Sequence, residues 1–195
     1  MVRGFKLAVA VALAAIPFVM LTGFDKRAAD SLHAYAIAHP GMTWALSTWT
    51  EVFGPWPWRV AVLTAAAWLL YAGASRMAVW AVTTITVGGV LGLFLKIVIA
   101  RARPHLPDPV ALAPGASFPS GHTVNATLGA GVLVLILLPM LPRWGRWVAW
   151  TVAGFLVLSV AYTRVALGVH WVSDVIAGLV LGILVIAATK KAFRL

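Results

Sequence analysis

The sequence predicts an all-α fold: a bundle of six transmembrane helices, with short interfacial helices between the first two spans. Three observations carry that reading. Hydrophobic residues make up 62% of the 195-residue chain and charged residues only 10%, whereas soluble domains carry about 25% charged residues. Mean hydropathy is +0.96. The apolar residues are also gathered into six runs, each near the roughly 20 residues that cross a bilayer as helix. Twenty Asp, Glu, Lys and Arg side chains cannot clothe a soluble surface of this size, which excludes a cytosolic enzyme and a disordered tail. The net charge of +10 comes with no basic run and no polar face to hold one, so no nucleic-acid partner is expected. Cysteine is absent, which removes disulfides, thiolate nucleophiles and Cys-ligated zinc. Residues 1–195 read as one integral membrane domain.

The runs are Phe5–Gly23, Pro57–Ala74, Met77–Ala100, His122–Leu141, Trp147–Arg164 and His170–Lys190. Arg3 and Lys6 precede the first, as in a cleaved signal peptide. Its length and the lack of a clear small-x-small site favour a signal anchor instead. Phe24–Trp56 is polar and then mixed, and reads as one or two short helices at the interface, broken by Pro40-Gly41. Trp44, Trp49, Trp56 and Trp58 are expected at headgroup level.

Six crossings place both termini on one face. That face holds Arg3, Lys6, Arg76, Arg143, Arg146, Lys190, Lys191 and Arg194; the other holds Lys26, Arg27, Arg59, Lys96, Arg101, Arg103 and Arg164. Lys96, Arg103 and Arg164 belong to motifs treated below. Without them the excess of ordinary loop charge makes the terminal face cytoplasmic. All five acidic residues and all five His fall on the opposite face, so the ionisable chemistry faces outward.

Three clusters stand at the outer ends of spans three to six. In Lys96-Ile-Val-Ile-Ala-Arg101-Ala-Arg103-Pro104, seven residues separate Lys96 from Arg103. On a helix that Pro104 ends, the two cations share a face about 10 Å apart along the axis and suit an anion between them. Both can instead snorkel to headgroups, the reading taken here for Arg101; an intramembrane Lys96 is a functional candidate by default. In Phe118-Pro119-Ser120-Gly121-His122, Ser120 is placed to cap the helix of span four. Gly121 admits close approach of the backbone, and the helix start offers free N–H groups to an anion. Taken alone, this is equally a plain helix start with an interfacial His. In Thr163-Arg164-x3-Gly168-x-His170-x3-Asp174, His170 and Asp174 stand i,i+4, so the carboxylate can take the imidazole N–H and fix the tautomer. Arg164 offers a planar fork to phosphate. Such a His–Asp pair is more often structural than catalytic. Convergence changes that, because parity brings the ends of spans three and five and the starts of spans four and six to one side. Three cations, a helix N-terminus and two His make an oxyanion site with acid and base attached.

These three motifs, in order and at these spacings, resemble the signature of the membrane type-2 phosphatidic acid phosphatase family over Lys96–Asp174. The six-span layout is similar over the whole chain. One departure is Thr163, where the family usually has Ser; its hydroxyl can make the same hydrogen bond. The resemblance implies that His170 is the nucleophile, forming a phosphohistidine, and that Asp174 orients and stabilises it. His122 would serve as acid and then base. Lys96, Arg103, Arg164, Thr163, the Ser120 hydroxyl and the Gly121 N–H would hold the phosphoryl oxygens. Three fixed cations can do this without a metal, so no metal or cofactor is expected.

The expected substrate is an amphiphile with its phosphate at headgroup depth, reached from the outer leaflet. The family's range includes phosphatidic acid, phosphatidylglycerol phosphate and undecaprenyl pyrophosphate, with the rim from His105 to Phe118 selecting among them. Two other classes stay open. One is a transporter or lipid-phosphate binder without hydrolysis, which would not need the His–Asp pair. The other is a structural subunit packed through Gly88-x3-Gly92 and Gly178-x3-Gly182.

Overall fold

A computed structural model describes residues 22–195, all helix and loop with no strand among them. In order the helices are α1 (Thr22–Ala38), α2 (Pro40–Val52), α3 (Pro55–Tyr71), α4 (Ser75–Ile99), α5 (Gly121–Leu137), α6 (Arg143–Ala166) and α7 (Val172–Ala192). A 3₁₀ turn, Leu138–Met140, prolongs α5. Among the described residues four helices are long and apolar enough to cross a membrane: α4, α5 with its 3₁₀ turn, α6 and α7. They match the last four expected spans to within a few residues. The expected first span, Phe5–Gly23, lies almost wholly outside the described residues. The second corresponds to α3, 17 residues long.

Pro40 sits in the first turn of α2 and breaks the segment after α1 at His39, where the sequence placed the break. The tryptophans divide. Trp44 and Trp56 are well exposed, but Trp58 is buried; its indole donates to Phe53 O at 2.9 Å, and its ring lies where a Cβ on Gly129 would be. The interfacial place expected for Trp58 is therefore corrected to a core one. Trp49 donates to Ser159 Oγ at 2.9 Å, tying α2 to α6.

α5 is the central helix, packed on α3, α4, α6 and α7. It can be central because small residues let its neighbours approach. A Cβ added at Gly182 would come within 2.6 Å of the Thr127 side chain, and one at Gly178 within 3.0 Å of Ser120 O. The Gly178-x3-Gly182 stripe is thus the seam between α7 and α5. On α4, Gly88 receives Leu128 in the same way, whereas Gly92 only makes ordinary contact with Val124.

Two element ends differ from expectation. α4 stops at Ile99 because Ala100 turns left-handed (φ 45°), its N–H bonding back to Lys96 O. Pro104 does not end it, so Arg103 lies in the loop and not on a helical stripe with Lys96. The second concerns α7, which begins at Val172; His170 precedes it in a turn where Gly168 has φ +69°. His170 and Asp174 therefore meet across a helix start and do not share a helix face.

Candidate active site

α4 and α6 end, and α5 and α7 begin, at one end of the bundle. The long loop 100–120 folds over that end. Its frame is set by Ser117 N–H bonding Arg101 O at 2.8 Å, Ser117 Oγ bonding Ala102 O at 3.1 Å and the Trp171 indole bonding Ala102 O at 2.9 Å. From α1, the His33 Nε2–H donates to Pro107 O at 2.6 Å.

His170 is held from three sides. Its backbone N–H donates to Arg164 O at 3.1 Å, which anchors the turn to the end of α6. Nδ1 lies 3.3 Å from Asp174 Oδ2, and Nε2 lies 3.2 Å from Arg103 Nη1. A guanidinium only donates, so Nε2 must be the acceptor and Nδ1 carries the proton toward Asp174. The tautomer is thereby fixed, with the unprotonated Nε2 accepting from the Arg103 guanidinium. Burial pushes the imidazole down to about 4; the Asp174 hydrogen bond and charge oppose this, while Arg103 and Arg164 add to it. At a pH well above that value the imidazole is neutral.

Asp174 is fully buried and saturated. Besides His170, its Oδ2 accepts the Trp171 N–H at 3.0 Å, closing the first turn of α7. Its Oδ1 accepts Arg101 Nη1 at 2.6 Å. Arg101 also bonds Ser173 Oγ at 2.6 Å and Asp25 Oδ2 at 2.9 Å. Asp25, from the first turn of α1, takes the Ser173 N–H at 3.0 Å and the Ser173 hydroxyl. Arg101 is therefore no headgroup anchor: it joins two buried carboxylates behind the His–Asp pair. Asp25, Arg101 and Ser173 are the residues that sequence reasoning missed. Arg101 lay in plain view, but its partner is 76 positions away, and nothing local announces it.

Arg103 spreads its guanidinium over Gly115 O, Val169 O, Pro114 O and Ala116 O, as well as His170. Burial lowers its pKa, against the field of Asp174. Lys96 Nζ donates to Ala116 O at 2.7 Å, and its stem passes 3.9 Å from where Gly121 would carry a Cβ. Lys96 and Arg103 thus meet through the carbonyls of loop 114–116 and not through a shared helix face. Arg164 is buried, with Nη1 on Thr50 Oγ1 at 3.2 Å and Nε without a partner among the described residues. His122, in the first turn of α5, lies within electrostatic range of Arg164, His170, Arg103 and Lys96.

Two hydroxyls are turned elsewhere. Ser120 occupies the N-cap position of α5, but its side chain caps no backbone N–H. It accepts from Thr123 Oγ1 at 3.2 Å, while its own N–H bonds Asp174 O at 3.0 Å. This corrects the expected cap: the backbone, and not the hydroxyl, joins α5 to α7. The Thr163 hydroxyl donates to Val160 O on its own helix at 2.6 Å.

The charge balance is one-sided. Every Asp and Glu of the chain falls among the described residues. The carboxylates in ion pairs are Asp30 with Lys26, and Asp25 and Asp174 each with Arg101; the neutral His170 adds a hydrogen bond to Asp174. Lys96, Arg103 and Arg164 have no carboxylate within ion-pair distance. One buried and two part-buried cations without counter-charge, around a neutral imidazole, leave a positive field that an anion would offset. Among the described residues no three His, Asp or Glu side chains cluster as metal ligands.

The description of the PAP2 superfamily matches residues 77–194, more than half of the chain and all three motifs. Phosphatidylglycerophosphatase B of Bacillus subtilis (strain 168) is 36% identical over 103 residues, 51% of this chain and 50% of that protein. Undecaprenyl-diphosphatase of Sulfolobus acidocaldarius is 33% identical over 119 residues, 58% of this chain and 54% of that one. The chain thus spans about half the length of these curated relatives. Among solved structures, the transmembrane PAP2-type phosphatidylglycerolphosphate phosphatase of Bacillus subtilis superposes with a TM-score of 0.79 at 25% identity, covering 99% of this chain and 95% of its own. On the matched motifs, and on the multi-pass bundle that gathers them at one end, the chain belongs to the PAP2 superfamily.

Proposed function

We propose that this protein is a membrane lipid phosphatase that hydrolyses a phosphate monoester or pyrophosphate of an amphiphile at the extracytoplasmic face, through a phosphohistidine. The observation that carries this reading is the state of His170. Its proton is on Nδ1 toward Asp174, its unprotonated Nε2 faces the Arg103 guanidinium that would also meet the phosphoryl oxygens, and it stands among cations that no carboxylate neutralises. Binding alone would need the cations but not an oriented imidazole.

In the first step His170 Nε2 attacks phosphorus and the bond to the leaving oxygen breaks, with His122 giving that oxygen its proton. Asp174 holds the positive charge that develops on His170. In the second step His122 takes a proton from water, the hydroxide attacks the phosphohistidine, the P–N bond breaks and inorganic phosphate leaves. Lys96, Arg103 and Arg164 carry the charge on the phosphoryl oxygens throughout. Gly121 N–H at the start of α5 is a further donor. Ser120 and Thr163 complete the set once their hydroxyls turn from Thr123 and Val160. These residues need no metal partner.

The candidate substrates are phosphatidic acid, phosphatidylglycerol phosphate and undecaprenyl pyrophosphate, supported by the relatives' names and by the apolar approach described below. The orientation rests on the excess of Lys and Arg at the end away from the site, with both termini cytoplasmic and all of residues 1–195 forming one domain. The test is phosphate release by the purified protein in detergent with EDTA present. Release from a lipid phosphate by the wild type, abolished in His170→Ala with the fold intact, is the expected result. Retained hydrolysis in His170→Ala removes the nucleophile assignment, and activity lost to EDTA and restored by a divalent ion removes the metal-free mechanism.

A further inference from the structure

A groove of about 580 Å³ runs between α3, α4 and α5, from Lys96 and Gly121 along the apolar length of α4. Its apolar wall includes Leu63, Ile85 and Leu93, and Lys96, Pro119 and Gly121 close it at the site end. Inside it stands one charge that the chemistry above does not use. Arg59, on the second turn of α3, donates from Nε to Asn125 Oδ1 at 2.9 Å. Asn125 is itself held by Nδ2 donating to Gly121 O at 2.8 Å. The guanidinium sits 5.3 Å from the Trp56 ring centroid, and Nη2 lies 3.9 Å from the place of a Cβ on Gly89. No carboxylate of the chain pairs with Arg59, and its two terminal nitrogens make no hydrogen bond to the described residues. A half-buried guanidinium at the mouth of an apolar groove, with one neutral amide and one indole ring for company, is costly unless something anionic completes it.

We propose that Arg59 and Asn125 form a second anion subsite, which reads a phosphodiester lying one helical turn nearer the bilayer centre than the phosphate that is cleaved. Asn125 follows Gly121 by one turn of α5, about 6 Å along the axis. The two phosphorus atoms of a pyrophosphate share one oxygen and are too close to occupy both places. A phosphatidic acid has only one phosphate. A glycerophospholipid whose headgroup ends in a phosphomonoester carries two, separated by a three-carbon bridge, with the inner one next to the acyl chains that the apolar part of the groove receives. The inference rests on the lipid phosphatase reading and narrows it to that substrate class.

The experiment compares phosphate release from phosphatidylglycerol phosphate and from phosphatidic acid of the same acyl chains, in the same mixed micelles, as a ratio of kcat/KM. Arg59→Gln keeps a donor for Asn125 and removes the charge; it lowers the ratio about tenfold, the worth of one charge-assisted hydrogen bond. Arg59→Lys restores part of it. Gly89→Leu leaves the Arg59–Asn125 bond in place, fills the space over the guanidinium and lowers the ratio as well. A ratio unchanged in both Arg59→Gln and Gly89→Leu, whether or not the absolute rates fall, overturns the subsite while leaving the phosphatase reading intact. A wild type that hydrolyses neither lipid overturns the subsite and its substrate class; it refutes the phosphatase reading only when undecaprenyl pyrophosphate, run beside them, is left intact as well.

Discussion

Arg101 shows how much of the site is decided behind the residues proposed to touch phosphate. Its guanidinium bonds Asp174 Oδ1, the oxygen adjacent to the one that faces His170, and its other arm is taken by Asp25. By sharing the charge of Asp174, Arg101 keeps that carboxylate from drawing a second proton onto His170. With the imidazole held near 4, the acid limb of kcat/KM that belongs to His170 lies well below the ordinary histidine range. A limb near 6.5 would contradict the burial argument. The sign for a variant follows: Arg101→Met leaves Asp174 uncompensated, favours the imidazolium and moves that limb to higher pH, while Arg101→Lys restores part of the shift. A pH-rate profile separates this from simple loss of structure. Asp25→Ala strands the other side of Arg101 and leaves the Ser173 N–H and hydroxyl without their acceptor. Removing one partner of a buried pair costs about 3–5 kcal/mol, so a large drop in Tm in detergent is expected, and an unchanged Tm would show the pair to be idle.

The helices explain what could be seen in advance. α4, α5, α6 and α7 were legible because each is a long apolar run, and the break before α2 was legible because Pro40 enforces it. The end of α4 was not, since Ala100 adopts the left-handed conformation with no glycine to signal it. From that followed the misplacement of Arg103 and the misreading of Arg101. The motif residues themselves could be named from spacing, because parity alone brings the four helix ends together. Their hydrogen bonds could not, as with Ser120, whose capping position and hydroxyl partner diverge. The seam between α5 and α7 lies on this scale and can be broken there. In Gly182→Leu the new side chain meets Thr127, where a Cβ alone would stand at 2.6 Å. Overpacking of this kind costs about 1–3 kcal/mol and also separates Ser120 N–H from Asp174 O. Tm and kcat should therefore fall together; Gly154→Leu, with no heavy atom within 4 Å of its added Cβ, should lower neither.

At the scale of the whole molecule, charge is sorted by end. Lys96, Arg103, Arg164 and His170 gather where loop 100–120 closes over the bundle. Arg76, Arg143, Lys190, Lys191 and Arg194 lie at the other, where Arg76 caps α7 by donating to Phe193 O and to Arg194 O. That sorting predicts sidedness. Because the chain has no cysteine, single-cysteine labelling reads it directly: a membrane-impermeant thiol reagent on intact cells should modify Leu112→Cys and spare Lys191→Cys, and the reverse pattern would invert the topology. The central claim is covalent chemistry at one imidazole, and rapid quenching with a lipid substrate labelled in its terminal phosphate tests it most directly. The account predicts an alkali-stable, acid-labile phosphate on the peptide that contains His170, present in the wild type and absent from His170→Ala. Steady turnover with no label on His170, when the quench is fast enough to catch a single cycle, would contradict it.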